Sequence, residues 1–249
     1  MRASNFNLAD YLSRIGYEGS VDTTLATLTR LVQKQLRTVP FENTEVQAGR
    51  IPSMVPEEIV DKVLTRRRGG YCYEINGIFS MALTAIGFEW YFAGARPMLY
   101  PERRPRTHMV VIVRIGGKNY LCDTAFGGYA LRAPMMIEEG EVVQDDDRLR
   151  LELIDGEYVL SSLVQGRWQS QYGFTMQPQE WIEFTLSNYF NATHPDTIFT
   201  QKRLAILQTA RGRKILLDNE LKLIEEEISE HFEVDYDTAL KEHFGLEPW

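Results

Sequence analysis

The stretch RRRGGYCYEINGIFSMALTAIG, residues 66–87, places a glycine pair and a cysteine at the start of a helical pattern. Its apolar residues recur at intervals of three and four, as in a helix with one buried stripe. They are Ile75, Ile78, Phe79, Ala82, Leu83 and Ile86. Gly87 is a typical helix stop. Cys72 falls in the first turn, where unpaired N–H groups and the helix dipole favour an anion such as a thiolate.

A second stretch supplies partners for this cysteine. THMVVIVRIGGKNYLCDTAF, residues 107–126, has the pattern of a strand, a glycine turn and another strand. If Gly116 and Gly117 form a two-residue turn, His108 lies opposite Ala125 and diagonal to Asp123. Diagonal neighbours on one face have backbones roughly 7–8 Å apart, close enough for an imidazole and a carboxylate to meet.

Cys72, His108 and Asp123 therefore have the roles of a Cys-His-Asp triad, in which the carboxylate orients the imidazole and the imidazole deprotonates the thiol. A bland alternative stays open at this point, namely that Cys72 is a small buried apolar residue. A zinc site that also includes Cys122 is disfavoured, because no C-x-x-C spacing is present and adjacent strand residues face opposite ways. No metal is predicted.

Composition limits the class of protein. The chain has 249 residues, 44% of them hydrophobic, with a formal net charge of −8. Such a charge argues against nucleic acid and against anionic membrane surfaces as partners. Two cysteines are too few for a disulfide framework, the first residues lack the layout of a signal peptide, and no apolar run approaches the ~20 residues that span a bilayer. We therefore expect a cytoplasmic protein.

The periodicity changes twice along the chain. Residues 1–87 are mainly helical in pattern, residues 88–176 are strand-like with glycine turns, and residues 177–249 are mixed. The middle part suits an antiparallel sheet or barrel. In the last part, RLAILQT and KILLDNELKLI have the pattern of a hairpin around Arg211 and Gly212.

At the residues of the triad the sequence resembles the arylamine N-acetyltransferase family. The matching pieces are VPFEN at 39–43, RGGYCYEIN at 68–76, GARP at 94–97, THMVVIV at 107–113 and YLCDTAFGG at 120–128. They occur in the order of the family and with its intervals between Cys, His and Asp. One departure is that the family commonly has V-D-V/A-G-F-G where this chain has Cys122-Asp123-Thr124-Ala125-Phe126-Gly127.

The resemblance implies an α+β fold with an N-terminal helical bundle (1–87), an antiparallel β-barrel (88–176) and a C-terminal α/β lid (177–249) around a cysteine-protease-like Cys-His-Asp core. It also implies transfer of acetyl from acetyl-CoA through an acetyl-cysteine thioester to arylamines, arylhydrazines or N-hydroxyarylamines. From the residues alone, a Cys-His-Asp hydrolase, a transglutaminase-like enzyme and a binding module with a relic triad remain alternatives.

The family also suggests where substrates lie. Phe41, which we expect in a short irregular segment, Tyr71 and Phe126 are candidates to stack on an aromatic acceptor, and packing explains each of them equally well. Gly127 and Gly128 are candidates to let coenzyme A approach the backbone. Three arginines in the loop at 100–106 have the pattern of a solvated charged loop, with contact to coenzyme A phosphates as the alternative.

Overall fold

The computed structural model describes residues 1–129, 131–226 and 228–249. Within these ranges the α-helices are α1 (Leu8–Arg14), α2 (Leu25–Leu36), α3 (Thr44–Gln47), α4 (Pro56–Val60), α5 (Cys72–Ile86), α6 (Phe184–Thr193), α7 (Ile198–Gln201) and α8 (Tyr236–Phe244). The strands are β1 (Phe41–Glu42), β2 (Glu89–Pro97), β3 (His108–Ile115), β4 (Lys118–Cys122), β5 (Met135–Met136), β6 (Gly140–Gln144), β7 (Asp147–Ile154), β8 (Glu157–Val164), β9 (Arg167–Phe174), β10 (Leu204–Gln208), β11 (Gly212–Leu217), β12 (Glu220–Glu225) and β13 (Ile228–Glu233).

Helix α5 is the centre of the molecule. It begins at Cys72 as predicted, and Gly87 ends it in the left-handed conformation with φ of 100°. The prediction of a single buried stripe is wrong, because every residue from Cys72 to Leu83 is buried. The reason is tertiary: α1 and α4 pack against the helix, and so do β2 and β3. A helix covered by neighbours on several sides has no solvent face to keep polar.

Strands β2 to β9 form one antiparallel sheet in the order β5-β4-β3-β2-β9-β8-β7-β6. The sheet is strongly curled into a half-barrel, and the α+β class is confirmed. Among the described residues no ladder joins the outer strands β5 and β6, so hydrogen bonds do not close the predicted barrel. Residues 108–113 of β3 are buried, as the apolar run predicts, since α5 covers one face of this part of the sheet.

A second antiparallel sheet has the order β1-β10-β11-β12-β13. The expected hairpin around Arg211 and Gly212 is confirmed as β10 and β11, but KILLDNELKLI divides into β11 and β12. The prediction that Phe41 lies in an irregular segment is wrong, because Phe41 pairs with Ile206 of β10. A strand of two residues is too short to show any alternation in sequence.

None of the described helices is long and apolar enough to cross a membrane.

Candidate active site

The glycine pair before Cys72 brings strand β1 against the start of α5. A Cβ atom on Gly69 would lie 2.1 Å from the carbonyl oxygen of Pro40, so no side chain fits there. The Gly70 carbonyl accepts the N–H of Glu42 at 2.8 Å. A Cβ atom on Gly70 would lie 2.5 Å from Oε2 of Glu74. The two glycines are therefore needed for different reasons: the Pro40 backbone occupies the space beside Gly69, and the Glu74 side chain occupies the space beside Gly70.

The turn predicted between β3 and β4 is confirmed. Gly116 and Gly117 have φ values of 58° and 78°, which suit a two-residue hairpin turn, and Ile115 pairs with Lys118. The ladder ends at the pair Val111 and Cys122, so the expected pairing of His108 with Ala125 does not form. The register nevertheless carries both catalytic candidates to the same end of the hairpin.

His108 and Asp123 meet at that end. Nε2 of His108 lies 2.8 Å from Oδ2 of Asp123, and both side chains are buried. The other carboxylate oxygen of Asp123 accepts the side-chain N–H of Asn76 at 3.1 Å and the backbone N–H of Ala125 at 3.0 Å. The carboxylate is therefore held in one orientation, and the imidazole follows it.

The electrostatics of this pair favour charge on both groups. Burial opposes the charged imidazole, but the negative charge and hydrogen bond of Asp123, with a smaller contribution from Cys72, raise the pKa of His108 to about 10. Burial likewise opposes the carboxylate, yet His108, Asn76 and the N–H of Ala125 together lower the pKa of Asp123 below its ordinary value. At neutral pH the pair is thus an imidazolium and a carboxylate.

Thr107, the residue before His108, is held by hydrogen bonds of its own. The Thr107 carbonyl accepts the Tyr73 hydroxyl at 2.7 Å and the side-chain N–H of Asn191 at 2.9 Å. Tyr73 follows Cys72 in α5, and Asn191 lies in α6. The start of β3 is therefore tied to the start of the cysteine helix, which fixes how His108 faces Cys72.

One cavity of about 440 Å³ brings the predicted residues together. Cys72 and His108 both line it, and so do Phe41, Phe126 and Gly128. Its size falls in the range of small-molecule sites. Asp123 does not reach the cavity, since it is buried beside His108.

Two predicted contact residues lie outside the described lining of this cavity. The Tyr71 ring is buried and packs edge-on against Phe199, which lines the cavity in its place. Gly127 has φ of 92°, and a Cβ there would lie 3.0 Å from Ile206 and 3.2 Å from Phe41. Tyr71 and Gly127 therefore support residues that line the cavity. This differs from the sequence prediction, in which both contact substrate or coenzyme A directly.

Ala125, the departure from the family pattern, lines the cavity. It is not among the residues with positive φ, so its methyl group causes no backbone strain. The methyl occupies space that glycine would leave open beside His108 and Asp123.

The arginines of the loop at 100–106 have protein partners. Arg103 and Arg106 contact the carboxylate of Glu157 at 3.2 and 2.7 Å, so the loop is anchored to β8. Arg104 stacks on the Tyr100 ring at 4.5 Å, and both residues line the cavity. The expectation of a solvated charged loop is confirmed at Pro101, Glu102 and Arg103, which are exposed even though Arg103 contacts Glu157. Contact with coenzyme A phosphates stays a prediction.

The site contains residues that sequence reasoning missed. Asn76 contacts Asp123 directly, and its signal is a single amide inside an otherwise apolar helical run. Phe199 and Ile206 form part of the wall, and nothing in their local sequence points to the cavity. Among the described residues, no cluster of three or more His, Cys, Asp or Glu side chains is placed to hold a metal ion.

Comparison with known proteins places this geometry in a family. The N-acetyltransferase family model matches residues 24–247. The chain is 35% identical to the arylamine N-acetyltransferase of Mycobacterium tuberculosis, over 83% of this chain and 76% of that protein. The chain belongs to the arylamine N-acetyltransferase family. It is therefore an acyltransferase.

Further members of the arylamine N-acetyltransferase family match nearly the whole chain. The enzyme of Mycolicibacterium smegmatis is 31% identical, over 97% of this chain and 92% of that protein. The structure of the Mycobacterium marinum arylamine N-acetyltransferase in complex with CoA has a TM-score of 0.90 and 29% identity, and covers 96% of this chain and 92% of that one. The shared fold thus extends over nearly the whole chain.

Proposed function

We propose that this protein transfers acetyl from acetyl-CoA to arylamines, arylhydrazines or N-hydroxyarylamines through an acetyl-Cys72 thioester. The observation that carries the proposal is that Cys72 and His108 line one cavity while Asp123 fixes the imidazole from behind at 2.8 Å. The names of the relatives support an arylamine acceptor, and the complex of one relative with CoA supports the donor. Arylhydrazines and N-hydroxyarylamines are included because the family resemblance implies them.

In the first half-reaction the Cys72 thiolate attacks the acetyl carbon, and the new C–S bond replaces the bond to the coenzyme A sulfur. Because Asp123 engages Nε2 of His108, Nδ1 is the nitrogen that exchanges protons with the reacting groups. His108, charged at neutral pH, gives its proton to the departing coenzyme A thiolate. The products are acetyl-Cys72, coenzyme A and a neutral imidazole.

In the second half-reaction the amine attacks the thioester carbonyl and His108 accepts the amine proton. The C–S bond then breaks, which releases the acetylated amine and restores the thiolate and imidazolium. Asp123 holds the imidazole in the required tautomer throughout. Atoms and charges balance over the cycle, and no metal takes part.

The oxyanion that forms in each step needs N–H donors. The Cys72 N–H lies in the first turn of α5 and has no partner within the helix, so it is the donor that we assign. The first two N–H groups after Asp123 do not add to it. The N–H groups of Thr124 and Ala125 are occupied by the side chains of Asn76 and Asp123, so they are not available to an oxyanion.

The cavity wall suits an aromatic acceptor and a cofactor arm. Phe41, Phe126 and Phe199 present ring faces or edges to it, and aromatic rings pack well against one another. A Cβ on Gly128 would meet no atom within 4 Å, so the backbone there borders open space where coenzyme A has room to approach.

The proposal includes the division of the chain at residues 87 and 176, with the site between the parts. It also includes a cytoplasmic location for an enzyme with two free cysteines.

Steady-state kinetics test the reaction class. With acetyl-CoA and an arylamine both varied, double-reciprocal plots should be parallel, because free coenzyme A leaves before the amine binds. Cys72→Ser should abolish turnover and His108→Gln nearly so. Thiol reactivity with no acetyl-CoA dependence would instead favour a hydrolase or transglutaminase-like enzyme. Absence of both would favour a binding module.

A further inference from the structure

A chain of buried hydrogen bonds runs from α1 to the catalytic carboxylate. The Tyr11 hydroxyl donates to Oε1 of Gln35 at 2.6 Å, and Nε2 of Gln35 donates to the Thr124 hydroxyl at 2.7 Å. The Thr124 hydroxyl donates to Oδ1 of Asn76 at 2.8 Å, and Nδ2 of Asn76 donates to Asp123 at 3.1 Å. All five side chains are buried. The bonds thus form one continuous route from α1 through α2 to the site.

The direction of each bond is determined by chemistry. Nε2 of Gln35 is a donor only, so the Thr124 hydroxyl accepts from it and gives its single proton to Asn76. Asn76 also accepts the Thr124 N–H at 3.1 Å and donates to the Met109 carbonyl at 2.7 Å. If its amide were rotated, Oδ1 would face the Met109 carbonyl and the Asp123 carboxylate, which are both acceptors. Every donor therefore points toward Asp123, and bonds aligned in this way polarise one another.

Asn76 connects the three segments that carry the proposed triad. It lies one helical turn after Cys72 in α5, its amide binds Met109 next to His108, and it binds Asp123 itself. The position of this one amide therefore affects the relative placement of all three catalytic groups. Thr124 and Gln35 hold the amide from the side opposite the carboxylate.

We infer that Thr124 and Gln35 are positioning residues for catalysis: through Asn76 they hold the Asp123 carboxylate against His108, and thereby set the reactivity of Cys72. Neither residue lines the described cavity, so neither acts by contact with substrate. This inference rests on the catalytic roles proposed above for Cys72, His108 and Asp123. It assigns to α2 an effect on chemistry that takes place in α5.

If Thr124 and Gln35 only stabilised the fold, their loss would affect stability and leave the reactivity of Cys72 unchanged. Buried polar groups need partners in any protein, so loss of the Thr124 hydroxyl lowers stability whether or not catalysis depends on it. A readout that stability alone does not move is the pH at which Cys72 becomes half-reactive toward iodoacetamide. That midpoint depends on how well His108 and Asp123 support a thiolate.

Thr124→Val removes the hydroxyl and keeps the shape of the side chain. The family pattern has Val or Ala at this position, so the variant should fold, and Gln35 keeps its bond to the Ile75 carbonyl at 3.1 Å. We expect the alkylation midpoint to move to higher pH. We also expect the single-turnover rate of acetylation by acetyl-CoA to fall about tenfold, the size of effect that is seen when residues that orient metal-binding histidines are mutated. Thr124→Ser should restore both values.

Ser80→Ala is the matched control. Ser80 is buried in the same helix as Asn76, but its hydroxyl donates to the Gly77 carbonyl at 2.7 Å and takes no part in the chain. The melting temperature of this variant should fall, and the midpoint pH for alkylation of Cys72 should stay that of the wild type. A midpoint in Thr124→Val equal to that of the wild type would overturn the inference, whatever happens to its melting temperature.

Gln35→Met supplies a second, independent arm, because it removes the amide at similar volume. It should move the midpoint in the same direction as Thr124→Val, and the double variant should move it no further than the larger single change. Additive shifts would mean that the two residues act separately, which contradicts a shared chain. Alkylation requires no acetyl-CoA, so a wild-type protein that is alkylated as expected yet never acetylated would refute the proposed function and leave the positioning inference intact.

Discussion

Nε2 of His108 and Oδ2 of Asp123 lie 2.8 Å apart at the end of a hairpin whose hydrogen-bonded ladder has already stopped. The contact is therefore made by side chains alone, and it depends on the carboxylate being held by other groups. Asn76 and the N–H of Ala125 do this from the other carboxylate oxygen. The contact with Asp123 therefore orients the His108 imidazole and leaves the cavity beside it open.

Asp123→Asn tests the orientation of the imidazole. The amide keeps the size of the carboxylate but favours the wrong tautomer of His108, so the rate should fall by about 10³ to 10⁴ while the fold is retained, by analogy with serine triads. Turnover and circular dichroism measure the two effects. Asp155→Asn is the matched control, since Asp155 lies in an exposed turn with positive φ that asparagine also adopts. Wild-type turnover in Asp123→Asn would remove Asp123 from the catalytic set.

The raised pKa of His108 predicts how stability depends on pH. The folded value is about 10 against an ordinary value of 6.5, so the folded state holds this proton more tightly than the unfolded state. The stabilisation is complete below about 6.5 and is lost as the pH rises toward 10. The difference in melting temperature between the wild type and His108→Gln should therefore be largest near pH 6 and smallest near pH 10, with His243→Gln as the control. If the difference in melting temperature instead grew with pH, the pKa of His108 would not be raised in the folded state.

Ala125→Gly tests whether the methyl group narrows the acceptor pocket. The backbone is unstrained, so the main effect of the change is the space that it opens in the cavity wall. We expect kcat/KM to rise for a bulky arylamine by roughly tenfold, the size of effect that one methylene has in an apolar pocket, and to change little for a small hydrazide. An equal change for both substrates would show that this residue does not select between acceptors.

The two cysteines should differ in their reaction with iodoacetamide. Cys72 lines the cavity, whereas Cys122 is fully buried in β4 and its burial raises the pKa of its thiol well above the ordinary value. Peptide mapping after brief labelling at pH 7 should therefore find the label on Cys72 before Cys122. Equal labelling would show that the cavity does not expose a reactive thiolate.

The sequence predicts this site best where local pattern determines geometry. The glycine pair at 116–117 fixes a two-residue turn, the turn fixes the register, and the register carries His108 and Asp123 to one end of the hairpin. The start of α5 at Cys72 follows from helical periodicity and a glycine stop. Each of these inferences uses residues that are close together in the chain.

The rest of the site depends on contacts between distant segments. Gln35 and Thr124 are 89 residues apart, and no local pattern pairs a glutamine in one helix with a threonine after a strand. Phe199 replaces Tyr71 at the cavity surface because the second sheet and α7 fold over the start of α5, which the periodicity of either segment does not reveal. Such placements are decided by tertiary packing, and propensity is only a weak guide to it.

Mass spectrometry of the intact protein after mixing with acetyl-CoA tests the central claim most directly. The account predicts that one acetyl group is added, that peptide mapping places it on Cys72, and that it is lost to product when an arylamine is supplied. Cys72→Ser should gain no acetyl group under the same conditions. An unmodified wild-type protein that still acetylates the amine, or an acetyl group found on another residue, would contradict transfer through Cys72.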